Sequence, residues 1–332
     1  MGQDDVIYVG SDDGFRQTKI VTSTGFKLSI PSIAKAGFTL SAIDSNEDGL
    51  GGYETDGRQF TVDSELDGED TRFDGYAFSE INRVIVNHAL QLAGLGGRRI
   101  ALATGVPFSS YFMPGSSEVN QDLLDQKMNN LSVEVLSLNG AKAPVIVKQN
   151  VMAQGLAAFV DYLTDDQGNI RDGLDPEQPV AILDIGGRTT DTVTIYGGNR
   201  VDHSASGTGN IGISNVYDHI KNAILRKYGV DKIRLATLER VARDRRIRLR
   251  GEDHDLSDIV REGVEKVWDQ ILREIKRSIG DAAEMGAVIL VGGGANLMSD
   301  LVAKSYPHLY VPEEPEFANA RGMLKGIMYM DD

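Results

Sequence analysis

The chain has 332 residues, 41% hydrophobic and 25% charged, with a formal net charge of −15 at pH 7, which is length enough for two ordinary domains and the composition of a soluble globular protein. The absence of cysteine excludes disulfides, thiolate metal sites and cysteine nucleophiles, and no apolar run approaches the roughly 18 residues of a membrane span. The acidic balance argues against direct nucleic-acid binding, so any DNA connection is expected to run through a partner, and the start Met1-Gly2-Gln3-Asp4-Asp5 is unlike a signal peptide, which makes a cytoplasmic location the expectation.

In chain order, an apolar strand from Val6 ends at Asp12-Asp13-Gly14, turns, and re-enters a second strand through Lys19 and Ile20. A third candidate, Phe26 to Ile30, follows Gly25, so residues 1–35 read as a β-meander. Residues 36–75 are rich in Gly, Asp, Ser and Thr, with apolar islands at Tyr53 and Phe60 to Val62; they predict a small loop-rich subdomain extending to about residue 78. Ser79 caps a predicted helix through Ile81, Val84, Ile85, His88 and Leu92 to Gly94, in which His88 is a core or boundary histidine. Ile100 to Thr104 is a buried strand, residues 118–131 a helix, and Val133 to Leu138 and Pro144 to Val147 further strands. The run from Gln149 to Phe159 predicts a helix with Ala153 and Ala157 one turn apart, and with Gln149 at its start pointing into a cleft at the sheet edge. Thr164 to Pro179 is the expected interdomain linker.

Val180 to Leu183 then repeats the opening pattern. It ends at Asp184, turns on Gly186 and Gly187, and returns through Val193 and Ile195, with a third strand expected over Arg200 to Ala205 after Gly197-Gly198-Asn199. Glycines at such a turn let backbone N–H groups approach an anion, and a carboxylate beside them serves a phosphate through a divalent cation or a water. An ordinary hairpin with an aspartate at its tip is the plainer alternative for either copy alone. Asp12-x-Gly14 and Asp184-x-Gly186 occupy matching places, however, so two similar domains are expected to face each other and clamp a polyphosphate.

Gly207-Thr208-Gly209-Asn210-Ile211-Gly212 is a G-x-G-x-x-G before a helix at about Ser214 to Tyr228. A dinucleotide fold needs that motif after the first strand of a βαβ unit; here it follows a meander, which favours a phosphate- or ribose-facing helix N-terminus. The arginines Arg240, Arg243, Arg245, Arg246, Arg248 and Arg250 read as a solvated face or as a contact for an acidic partner or neighbouring subunit. Residues 255–279 form an amphipathic helix with Trp268 beside its apolar stripe. Val288 to Val291 runs into Gly292-Gly293-Gly294-Ala295, bare backbone on which an adenine or α-phosphate can lie, and a helix begins near Phe317. No Walker sequence, zinc motif or Ser-His-Asp candidate occurs.

In combination, Asp12-Asp13-Gly14 with Lys19, Gln149 to Ala153, Asp184 to Asp191, Gly292-Gly293-Gly294 and Ala320-Arg321-Gly322 occur in the order of the five motifs of the actin-like ATPase superfamily. The chain resembles that superfamily over nearly its whole length and, within it, the ParM (StbA) plasmid-segregation actins. The resemblance implies an α/β protein of two ribonuclease-H-like domains with a nucleotide cleft between them: residues 1–165 with 316–332, and residues 178–315 with a subdomain at about 215–280. It implies ATP/ADP and Mg2+ as cofactors. Asp12 and Asp184 would hold magnesium through water, and Gln149, where relatives commonly carry glutamate, would orient the attacking water without accepting a proton. Asp13, Gly14, Phe15, Lys19, Gly186, Gly187, Arg188 and Thr189 would meet the phosphates, and Gly292, Gly293, Gly294 and Ala295 the adenosine, with Gly209 and Gly212 contributing from the glycine motif. The implied activity is ATP hydrolysis coupled to filament assembly, with the chain itself and a DNA-binding adaptor at a plasmid centromere as partners, and neither nucleic acid nor membrane bound directly. A small-molecule kinase, a chaperone ATPase and a non-polymerising scaffold of the same fold are the competing readings.

Overall fold

The computed structural model describes residues 5–37, 51–63, 71–197 and 200–330. Much of the loop-rich stretch expected at 36–78, and Gly198 and Asn199 of the second meander's turn, lie outside the described residues. The chain divides into two compact units, Met1–Leu174 with Phe317–Asp332, and Asp175–Glu316.

Unit 1 opens with the antiparallel meander β1 (Ile7–Asp13), β2 (Gln17–Thr22) and β3 (Lys27–Pro31). There follow β4 (Ala34–Ala36), β5 (Gly51–Thr55), β6 (Arg58–Val62), α1 (Glu80–Leu92), β7 (Arg99–Val106), α2 (Phe108–Tyr111), α3 (Gln121–Ser132), β8 (Leu136–Ser137), β9 (Val145–Ala153) and α4 (Leu156–Leu163). The main sheet has the order β3-β2-β1-β7-β9, with β7 parallel to β1 and β9 parallel to β7; a smaller sheet runs β4-β6-β5-β8. Unit 2 repeats the plan with β10 (Val180–Ile185), β11 (Thr190–Tyr196), β12 (Arg200–Val201), β13 (Gly207–Gly209), α5 (Ile213–Tyr228), α6 (Leu235–Asp244), β14 (Arg246–Leu249), β15 (Glu252–Asp255), α7 (Ser257–Ile279), β16 (Ala287–Val291), α8 (Ala295–Ser305) and β17 (Leu309–Tyr310). Its sheet runs β12-β11-β10-β16-β17, with β13 beside β11 and the last two steps parallel. Three antiparallel strands followed by two parallel ones, with helices outside, is the ribonuclease-H-like arrangement, present once in each unit.

Central strands covered on both faces must be apolar throughout, and β10 is buried at every residue. The stripe of α7, with Trp268, packs with Val216, Ile220 and Ile224 of α5 into the core of unit 2. The closing helix α9 (Ala318–Tyr329) belongs to unit 1. It lies so close to β1 and α4 that a Cβ at Gly10 would stand 2.0 Å from Ala320 O, and one at Gly322 only 1.7 Å from Ala157 O. The buried Asp161 of α4 fixes the same contact, accepting from Arg321 Nη2 at 2.7 Å and Lys325 Nζ at 2.9 Å.

Three elements differ from the sequence expectation. The residues Gln149 to Ala153 are not a helix start: β9 runs through them in parallel register with Leu102 to Val106, and the helix begins at Leu156 behind Gly155, whose φ of 80° breaks the strand. The third strand of the second meander is split into β12 and β13, because the Asp202 carboxylate takes the N–H groups of Ser204 and Ala205 into a local turn. The basic stretch is a helix end and a hairpin rather than one helix face: Ile247 of β14 is buried while Arg246 and Arg248 stand opposite Asp255 and Asp253.

His88 is a core residue on α1, its Nδ1 2.8 Å from Tyr53 Oη. Burial lowers its pKa from 6.5 to about 4. Between those values the unfolded chain binds a proton that the folded chain does not, so stability is full above about pH 6.5 and falls as pH drops towards 4, by roughly 3 kcal/mol at most from this group. In urea unfolding across that window, His88→Gln should show a shallower fall than the parent. Equal slopes would mean that His88 charges freely in the folded protein.

Candidate functional site

Antiparallel pairing sets Asp12, next to last in β1, opposite Lys19 of β2. Lys19 Nζ donates to Asp12 Oδ2 at 3.1 Å, and Gln154 Nε2 donates to Asp12 Oδ1 at 2.7 Å. All of Asp12 but 4% is buried, and a polar group taken out of water this far is costly without such hydrogen-bond partners. Successive strand residues point to opposite faces, so Asp13 turns the other way. Its Oδ2 accepts from Asn82 Nδ2 at 2.7 Å and from Lys127 Nζ, and the completely buried Lys127 also donates to Asn82 Oδ1 at 2.8 Å and Ala77 O at 3.1 Å. Asp13, expected at the phosphates, is thus an ion pair in the interior of unit 1. The following turn is braced from below: Ser32 Oγ donates to Gly14 O at 2.7 Å, the Ser32 N–H to Arg16 O at 2.8 Å and the Thr71 hydroxyl to Phe15 O, while the Phe15 ring packs on Tyr76.

Gln149 does not join this group. Its amide donates to Ser132 Oγ at 2.7 Å and Met128 O at 3.2 Å, both on α3. The glutamine at Asp12 is Gln154, placed by the chain reversal between β9 and α4, with its own N–H on Val106 O at 2.8 Å. Sequence reasoning passes over Gln154 because it starts the helix at Gln149, seven residues before Leu156; the signal that could have found it is Gly155-Leu156-Ala157-Ala158, a glycine break followed by small residues.

In unit 2, Asp184 stands next to last in β10, in register with Asp191 on β11 and Val291 on β16. The turn beyond it closes with the Gly186 N–H on Thr189 O at 2.9 Å, leaving Gly186, Gly187, Arg188 and Thr189 half-buried. From behind, the first N–H groups of α5 hold it: Ile213 donates to Gly186 O at 3.0 Å and Ser214 to Gly187 O at 2.9 Å. Those donors brace the turn, so they do not serve as the ligand-facing helix terminus that the glycine motif suggested. Gly212 is glycine because a Cβ would stand 2.7 Å from the carbonyl oxygens of Gly186 and Gly187, and at Gly209 a Cβ would meet Glu274 Oε2 of α7 at 2.0 Å. Around Gly209, Thr190, Thr208, Glu274 and Ser278 line a cavity of about 150 Å³.

The glycine run after β16 divides by role. Gly292 has φ 88° and lies against Asp184, where a Cβ would be 2.3 Å from Oδ1, and Gly294 lies against Ile185 Cγ2. Only around Gly293 is there open space, so of the run it is the one with backbone open to a ligand. Ala295 is fully buried at the head of α8. Among the described residues no group of three or more His, Asp or Glu is placed to hold a metal directly. Each unit therefore ends its central strand in a buried carboxylate beside a braced glycine turn, a place where phosphate oxygens and a hydrated cation can be held.

Comparison with known proteins agrees with this architecture. Residues 7–165 match the family model described as plasmid segregation protein ParM, N-terminal, and residues 182–304 that of archaeal actin homologue MreB-like, C-terminal. Archaeal actin homologs of Thermoplasma volcanium and Thermoplasma acidophilum are 23% and 24% identical, over 96% of this chain and 97% of their own lengths. An archaeal actin homolog in complex with ADP superposes with TM-score 0.77 at 19% identity, over 97% of this chain and 99% of that one. A 15-stranded ParM filament from Clostridium botulinum gives TM-score 0.78 at 19% identity with the same coverage. At these identities the structures speak for the fold.

The two roles in the glycine run separate in stability. Gly292→Ala and Gly294→Ala should each cost about 1–3 kcal/mol, the usual penalty for forcing atoms into a filled place, while Gly293→Ala should be close to neutral in thermal unfolding. A Gly293→Ala as damaging as its neighbours would show that this backbone is packed rather than open.

Proposed function

The chain belongs to the actin-like ATPase superfamily, and on that premise we propose that it is a Mg2+-dependent ATPase whose nucleotide state governs its assembly into filaments, used for DNA or plasmid segregation through an adaptor in the cytoplasm. The observation that carries the reading is the buried Asp12, paired with Lys19 and aligned by Gln154, with Asp184 in the same place in unit 2.

The residues fit a magnesium ion bound through water and phosphate. With no three-carboxylate cage among the described residues, the ion would keep most of its water, as magnesium does at nucleotide sites. Asp12 and Asp184 are the residues that would hold that shell, and the chemistry supplied is neutralisation of charge on the transferring phosphoryl group. Gly14, Phe15, Lys19, Gly186, Gly187, Arg188 and Thr189 would meet the phosphates. The cavity by Glu274 suits a ribose, whose hydroxyls can donate to a carboxylate, and Gly293 the base or α-phosphate. Gln154 takes the role that the sequence assigned to Gln149. With its amide N–H on Asp12, its Oε1 is the acceptor that would fix the lone pairs of an attacking water in line, and being an amide it positions the water rather than taking its proton. Proton transfer follows charge development on the phosphate.

A γ-phosphate held by turns of both units would favour one conformation of the subunit, and a head-to-tail contact specific to that conformation does not close on itself and grows into a filament. With ATP or a non-hydrolysable analogue the protein should pellet and scatter light, with ADP much less, and moderate salt should strengthen assembly by screening the −15 charge. Phosphate release should vanish in Asp184→Ala and slow by roughly 10²-fold in Gln154→Ala with nucleotide affinity kept, while Gln149→Ala stays near the parent rate. If Gln149→Ala were the slow variant and Gln154→Ala the silent one, the assignment would be reversed. A protein that stayed monomeric with every nucleotide while phosphorylating a small molecule would be a kinase.

A further inference from the structure

Two aspartates end β1, and only one of them can face Lys19 and Gln154. Alternation puts Asp12 and Asp13 on opposite faces of the sheet, and a slip of one residue in β1 would exchange them. What stands ready for a carboxylate on the inner face is Lys127 of α3. It has no exposed surface, and its three donor bonds are all used: one to Asp13 Oδ2, one to Asn82 Oδ1 at 2.8 Å and one to Ala77 O at 3.1 Å. Those bonds tie α3 to the end of β1, to the first turn of α1 and to the short helical turn Tyr76–Phe78. Asn130, also on α3, repeats the tie by donating to Ser79 O at 3.1 Å. A buried ion pair adds little stability over an apolar pair of the same volume, and its best-attested use is to fix registry.

A second chain of contacts carries this anchor to the turn after β1. Thr18 stands directly opposite Asp13 in the β1–β2 register. Its hydroxyl lies 3.1 Å from Ser32 Oγ, which gives its own proton to Gly14 O at 2.7 Å, so Thr18 is the donor of that pair. The Tyr76 hydroxyl sits among Asp13, Thr18, Ser32 and Asn82, and its ring packs on Phe15 of the turn with centroids 5.6 Å apart. Burial first and the Asp13 carboxylate second raise the Tyr76 pKa, which keeps the hydroxyl a donor. Asp13, Thr18, Ser32, Tyr76, Asn82 and Lys127 are all more than nine-tenths buried, so a bond lost in this layer is not replaced from bulk solvent.

We propose that Lys127 is a positioning residue for the first phosphate turn: it locks Asp13 inside so that Asp12 is presented on the other face, and through Tyr76, Thr18 and Ser32 it holds Gly14 to Arg16 in shape. It touches neither the nucleotide nor the reacting atoms. The proposal rests on the ATPase reading for the identity of the ligand, and not for the bracing itself.

Two measurements on the full-length protein test it: steady-state ATP hydrolysis, and hydrogen exchange without nucleotide. The main variant is Lys127→Met combined with Asp13→Asn, which removes both partners and strands no charge. Tyr76→Phe, one oxygen smaller, decides the matter in its place if the pair variant fails to fold. The control is Ile224→Val, a truncation in the core of unit 2. A purely structural loss lowers the amount of folded enzyme, and so the apparent kcat, with KM unmoved. The expected result is a KM for ATP raised about tenfold or more in the pair variant, the usual effect of removing an outer partner of a ligand-holding residue. Tyr76→Phe should raise it by a smaller factor. Exchange should quicken over residues 13–22 and not over residues 180–196, and the control should change neither KM nor exchange at either place. A folded pair variant with the parent's KM and the parent's exchange over residues 13–22 would overturn the proposal, since Lys127 would then only compensate Asp13. A parent that neither binds nor hydrolyses ATP would sink the ATPase reading, and the exchange result alone would then decide this one.

Discussion

Finding partners for a carboxyl group held out of water at the end of a buried strand is the constraint that the candidate site obeys. Asp12 and Asp184 are each almost fully buried, and a buried carboxyl oxygen left without a hydrogen-bond partner carries the full cost of its lost water. Lys19 and Gln154 meet that demand for Asp12, and each is where it is because of a larger element: Lys19 through the antiparallel register of β2, Gln154 through the reversal from β9 into α4. Those elements are fixed in turn by α9, which leaves room for nothing larger than hydrogen at Gly10 or Gly322. A side chain added at Gly322 would therefore be felt at the carboxylate through packing alone.

Unit 2 builds the surroundings of its strand-end carboxylate differently. The glycine turn after Asp184 is held from behind by the first N–H groups of α5 and from the side by Gly292 and Gly294. The donors at the head of α5 hold the turn in place rather than facing a ligand, and a turn held this way is the kind of preorganised backbone that phosphate binding sites use. Asp13, the acidic residue beside Asp12, has no such direct part. Asp13 pairs with Lys127 in the interior, where breaking one partner would strand a buried charge.

Much of this was legible in the residues. Apolar runs ending in Asp12 and Asp184 marked the two central strands, the stripe from Leu256 to Ile279 marked α7, and Ser79 capped α1 as its spacing required, accepting from Asn82 N–H. What was not legible turned on properties that a single residue does not display. Gln149 to Ala153 has neither a clear helical nor a clear strand period, so only the parallel pairing with β7 decides it, and the left-handed φ of Gly155 cannot be told from an ordinary glycine. The G-x-G-x-x-G was ambiguous for a similar reason. Gly209 and Gly212 are glycine to admit Glu274 and two carbonyl oxygens, atoms remote in sequence.

The central claim is that the two strand-end carboxylates serve one magnesium nucleotide, and calorimetric titration of ATP with and without Mg2+ tests it most directly. The account predicts that the parent protein binds ATP more tightly with the metal, and that this dependence is largely lost in Asp12→Ala and in Asp184→Ala alike. Full Mg2+ dependence retained in either variant would contradict it.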